Sequence, residues 1–174
     1  MIRVLLFSGL VLAAGFAPLT TDGKASGLSA KQLATLRKSK FKVVVPTYVP
    51  AGFKVDSVGF TDTKVPVEAS FALTYKNAKT KAEFTVQMAS DGLGDPIFTL
   101  DNGDAVDATS VLKAKSPILG AVDVEVYAKG REKMFQCTWM EHKNRSLPQF
   151  AMAYGRGVDG ATGKKIIESL RWLK

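Results

Sequence analysis

The chain has 174 residues and a formal net charge of +8, from 24 Lys and Arg against 16 Asp and Glu, a size that fits one domain around one core. Its lone cysteine, Cys137, excludes an internal disulfide framework, and its lone histidine, His142, leaves a zinc site nothing but carboxylates to complete it. Cofactors are therefore not expected, and a basic surface of this kind favours anionic company.

The first segment, "MIRVLLFSGLVLAAGFAPL", places Arg3 ahead of an apolar run from Val4 to Ala14. That run is shorter than the roughly 20 apolar residues needed to cross a bilayer, and it fits the h-region of a secretory signal peptide. Small residues suited to cleavage stand at Ala13-Ala14-Gly15 and at Ala25-Ser26-Gly27, whereas Pro18 opposes a cut after Ala17. No cysteine lies near the run, so lipoprotein processing does not apply. Taking residues 1–27 as the signal peptide and 28–174 as one exported domain, periplasmic or extracellular, the charge becomes +7, since Arg3, Lys24 and Asp22 are lost.

Ser29 is a candidate N-cap, with Leu33 and Leu36 at helical spacing, which predicts a short helix from about Ala30 to Lys38. Pro46 and Pro50 then bracket "TYV", and neither can donate to a strand ladder. The expectation is an extended, non-laddered arm, with Gly52 turning the chain into a strand that begins at Phe53. In "FKVDSVGF", Phe53 and Val55 have one parity and Val58 and Phe60 the other, so a bulge near Asp56–Ser57 is required to keep all four on one face.

Alternation then marks "ASFALTY" (Phe71, Leu73, Tyr75) and "AEFTVQM" (Phe84, Val86, Met88), joined by the polar turn "KNAKTK" as a hairpin. Ser90 to Ser110 is irregular and rich in Gly and Asp. "VDVEVY" (Val122, Val124, Val126) and "KMFQCTWM" (Phe135, Cys137, Trp139) form the next pair through "AKGRE", followed by "QFAMAY" with Phe150, Met152 and Tyr154 inward. At the end, Ile166, Ile167, Leu170 and Leu173 fall on one helical stripe, capped by Asp159 or Thr162. The fold class is α+β: an antiparallel meander of about six to seven strands, covered on one face by the C-terminal amphipathic helix and a short N-terminal helix.

Chemistry-bearing residues are few. Cys137 sits on the inward parity between Phe135 and Trp139, where burial raises a thiol pKa instead of activating it. Asp101, Asn102, Asp104 and Asp107, within the loop 91–107, offer oxygen ligands to calcium but lack the ordered EF-hand spacing, and Asn-Gly is itself a turn signal. Asn144-Arg145-Ser146 matches a glycosylation acceptor. Asp91, Asp95 and Glu141 are the acids an enzyme would have to use, and their spacing supports none. No nucleophile elbow, Walker loop or dinucleotide fingerprint occurs, so the chain reads as a non-enzyme without catalytic, cofactor or metal residues. The lysines and arginines (Lys38, Lys40, Lys42, Lys76, Lys79, Lys81, Lys129, Arg131, Lys133, Lys143, Arg145) look scattered through turns. They have no interleaved aromatics, so nucleic acid is not expected.

The stretch "VPTYVPAGFKV", followed in order by "LGAVDVEVY", "FQCTWME" and "IIESLRW", resembles an uncharacterised family of exported bacterial domains. These are found C-terminally in anti-sigma-factor-like proteins, and their LP-x-GF-type motif is similar to that of the RseB/MucB periplasmic regulators. The resemblance implies an α+β binding or sensing module without catalytic residues. Its partner would be an envelope protein or an anionic envelope component. The alternative is a carrier of a lipid or small apolar ligand, in a pocket lined by Phe71, Phe84, Trp139 and Phe150. The mature chain has no transmembrane segment on this reading.

Overall fold

The computed structural model describes residues 19–39, 42–61, 70–89, 106–140 and 150–174, except the side chains of Thr61, Trp139, Met140 and Phe150. The fold is α+β. Seven antiparallel strands make the main sheet: β3 (Lys54–Thr61), β4 (Ser70–Lys76), β5 (Glu83–Ala89), β6 (Ser110–Ser116), β7 (Gly120–Lys129), β8 (Glu132–Met140) and β9 (Phe150–Arg156). Their spatial order is β3-β4-β5-β9-β8-β7-β6. Two meanders therefore meet where β5 pairs with β9. A second sheet has the order β1-β10-β2, from β1 (Thr20–Thr21), β10 (Leu170–Leu173) and β2 (Val44–Pro46). Helix α1 spans Ala30–Arg37 and α2 spans Gly160–Glu168.

The expected bulge is present: the β3–β4 register slips between Val55 and Ser57, which lets Val55, Val58 and Phe60 all pack on the core. The β4–β5 and β7–β8 hairpins form as their alternation predicts. Helix α1 begins in a reciprocal capping box, the Ser29 side chain accepting from the Gln32 N–H and the Gln32 side chain from the Ser29 N–H.

Three expectations need correction, and one needs a finer boundary. The residues of β9 turned to the main core cluster are not Met152 and Tyr154, although Met152 is itself buried on the opposite face. Ala151, Ala153 and Gly155 pair with Met88, Val86 and Phe84 and share their face. Small residues are needed there because the Phe135 ring already fills the space: a Cβ on Gly155 would lie 2.6 Å from its Cε1. The C-terminal helix stops at Glu168. Ser169 donates its hydroxyl to the Ile166 carbonyl, and Leu170–Leu173 leave as a strand because two partner strands are waiting. A four-residue apolar alternation ("LRWL") fits that role as well as it fits a helical stripe. The arm expected between Pro46 and Pro50 carries no strand from Thr47 to Pro50, while Pro46 itself ends the edge strand Val44–Pro46 opposite Leu170, where a missing donor is tolerated. Finally, β6 lies where no element was expected. Its inward apolar signal is only Leu112 and Ala114, opposite Val124 and Val122, with Lys113 between them and Val111 exposed.

The two layers close one face of the main sheet. Gly160 of α2 approaches Val126 and Leu112, and Gly163 approaches Phe135, while Ile166 and Ile167 are fully buried. Beside the helix, Val43, Val44, Val45, Leu33 and Leu36 belong to the same core cluster as Phe71, Leu73, Tyr75 and Phe84. Tyr75 and Phe84 stack with ring centroids 4.5 Å apart. Thr47 fixes the junction between layers, its N–H and its hydroxyl both donating to the Ser169 carbonyl, at 3.1 and 2.8 Å.

Candidate functional site

Directly paired residues of a sheet project to the same side, so the register defines one transverse row: Lys54, Lys76, Glu83, Arg156, Met134 and Tyr127. This row runs along one end of the sheet across six strands, roughly 24 Å at the usual inter-strand spacing. Both hairpin turns expected from the sequence emerge at this same end. The first carries Lys79 and Lys81 and the second Lys129, Arg131 and Lys133. With Lys54, Lys76 and Arg156 that makes eight cations, all exposed, facing the four carboxylates Asp56, Glu83, Glu132 and Asp159.

Local structure holds the rim in shape. Pro50 accepts from the Phe53 N–H at 3.1 Å, with Gly52 at φ 82° in the left-handed region that this turn requires and that glycine adopts freely. In the β4–β5 turn, the Asn77 side-chain oxygen accepts from the N–H groups of Lys79 and Thr80, at 3.1 and 3.2 Å, an Asx arrangement that organises the loop without help from a glycine. Between these two turns lies an open groove of about 650 Å³, lined among others by Gly52, Lys54, Asp56, Lys76, Asn77 and Lys79.

The rim is only partly neutralised. Lys76 pairs with Asp56 at 3.2 Å and Glu83 at 3.7 Å, and Asp56 first, then Glu83, hold its ammonium above the ordinary lysine value. Arg156 pairs with Glu132 at 3.2 Å. Asp159 is spent on capping α2, accepting from the Thr162 N–H at 2.8 Å. Such exposed pairs are individually weak, and among the described residues Lys54, Lys79, Lys81, Lys129 and Arg131 make no ion pair. An excess of four positive charges at one end is half of the chain's formal +8.

Sequence reading treats these lysines as scattered. What gathers them is β9 inserted between β5 and β8, which sets two distant hairpins side by side. The strand directions carried that signal, but the pairing of β5 with β9 did not.

The other candidates separate from this rim. Cys137 is 1% exposed, and burial first, then the charges of Asp123 and Glu125, push its thiol up to about 12. It fills space beside Ala153, its register partner on β9. Phe71 and Phe84 are spent in the core, and the side chains of Trp139 and Phe150, the other half of the expected pocket lining, fall outside the described ones. His142, Asp91, Asp95, Asp101, Asn102, Asp104, Glu141 and Asn144-Arg145-Ser146 also lie outside the described residues, while Asp107 is exposed. Among the described residues no cluster of three or more His, Cys, Asp or Glu is placed to hold a metal ion, and no helix is long and apolar enough to cross a membrane.

No family model, curated protein or solved structure matches the chain.

Proposed function

We propose that the protein is an exported, non-enzymatic binding module whose basic rim docks on a linear anionic polymer of the cell envelope. The observation that carries this reading is the set of eight exposed cations gathered at one end of the main sheet, of which Lys54, Lys76 and Lys79 line an open groove. Six of the eight are lysines, compact hydrated point charges suited to diffuse attraction, not bidentate recognition. Cations spread along one sheet end suit a chain of repeated charges. Among the described residues the exposed large apolar side chains, Leu19, Tyr48 and Val111, all lie off the rim turns, so these turns offer no wedge with which to enter a bilayer. The resemblance of "VPTYVPAGFKV" to exported binding domains points the same way.

The test uses long-chain polyphosphate as probe, with the wild type, a Lys79→Glu/Arg131→Glu variant of the two turn tips, and Lys31→Glu on the exposed face of α1 as control. Binding should weaken with added salt, because exposed charges are screened beyond about 8 Å at physiological ionic strength. It should fall at least tenfold in the rim variant and stay unchanged in the control. Equal losses in both variants, or binding to anionic phosphatidylglycerol vesicles without binding to polyphosphate, would overturn the reading.

A further inference from the structure

Residues 19–27 are built into the domain. The Trp172 N–H donates to the Leu19 carbonyl and the Lys174 N–H to the Thr21 carbonyl, each at 2.9 Å, so β1 is a parallel partner of the last strand. Arg37 ties the same corner by donating to the carbonyls of Asp22 and Lys174, both at 2.8 Å. Gly23 is buried at φ 80°, with the Leu33 and Leu173 side chains closing on the space a Cβ would need. Ser26 is fully buried, and its carbonyl accepts from the Tyr75 hydroxyl at 2.8 Å in the core.

A cut after Gly27 would remove every one of these partners. The N–H groups of Trp172 and Lys174 would lose their acceptors, the Tyr75 hydroxyl would be left buried and unpaired, and Leu33 and Leu173 would face a void. Of the two small-residue sites in the sequence, the upstream one alone leaves the fold whole. It places Ala13 and Gly15 at the positions that signal cleavage requires to be small.

We propose that the leader is removed at the Gly15–Phe16 bond, so that the mature protein keeps Leu19–Gly27 as an edge strand and core plug. This inference does not rest on the basic rim, and neither fails with the other.

The experiment expresses the full chain with its own leader in a Gram-negative host and measures the intact mass and N-terminal sequence of the exported protein. A chain beginning at Phe16 is expected. One beginning at Leu28, one retaining Met1, or a failure to leave the cytoplasm would overturn the proposal. A second readout is the thermal midpoint of Gly23→Val in the same exported protein. A drop of about 10 °C is expected if this corner is part of the fold, and an unchanged midpoint would equally overturn it.

Discussion

Gly163 of helix α2 sits over the ring of Phe135 so closely that a Cβ at that position would stand 2.4 Å from the ring's Cγ. The sheet and the helix thus meet backbone to ring, and Phe135, with no measurable exposure, is the floor on which α2 rests. Gly163→Ala should therefore destabilise the fold despite the better helix propensity of alanine, because the overpacking of about 1–3 kcal/mol outweighs a propensity gain of roughly 1 kcal/mol. Urea titration checks this. A raised midpoint would show that the helix can lift from the sheet without cost.

Cys137 is expected to be silent to a thiol-specific reagent in the folded protein and to react fully once urea unfolds it. The pH dependence follows from its raised pKa, up to about 12. Below the ordinary thiol value the group is protonated in both states and contributes nothing. Above it the unfolded chain loses the proton while the folded chain keeps it, so stability falls as pH rises from about 9 toward 12. Comparing urea midpoints of the wild type and Cys137→Ala across that range isolates the effect, since the slope should be shallower in the variant.

Asp159 caps α2, and the Thr162 N–H that it accepts holds its carboxyl below the ordinary value. A depressed folded pKa contributes stability that is present above the unfolded value of about 4 and is lost as pH falls through the folded one. Asp159→Ala should cost about 1 kcal/mol at neutral pH. Asp159→Asn should retain most of the cap and remove that part of the acid dependence, as thermal melts at pH 7 and pH 3 would register.

The Tyr75 hydroxyl donates to the Ser26 carbonyl in a buried setting, and burial holds it well above the ordinary phenol value. Tyr75→Phe keeps the stack on Phe84 and leaves that carbonyl without this donor, so a loss of about 1–2 kcal/mol is expected in chemical denaturation. A neutral result would mean that another donor reaches Ser26.

Much of the main sheet was legible because period-2 alternation is a local signal. Val55 against Val58 required the bulge, and Phe71 with Phe84 fixed the first hairpin. The failures share a different cause. Strand β9 carries large residues on one parity and small ones on the other, and hydrophobicity alone sends Met152 and Tyr154 inward. The ring of Phe135 reverses the choice, from a strand that meets β9 only in the folded sheet. The same holds for β10 and β2, whose short apolar runs become strands through partners more than a hundred positions away. The rim was illegible for this reason as well, since Lys79 and Arg131 are neighbours only through β9.

The small sheet has a consequence for the order of events in the life of the chain. Arg37 and Lys174 are bonded across 137 positions of sequence, and β10, the middle strand of its sheet, follows both of its partners in the sequence. A chain delivered N-terminus first holds Thr20–Thr21 and Val44–Pro46 with nothing between them until Leu170–Leu173 arrive. Contacts of such long range are slow to form, and a nascent chain that has not yet reached β10 keeps this layer open. The small layer can thereby close only after every strand of the main sheet has been made.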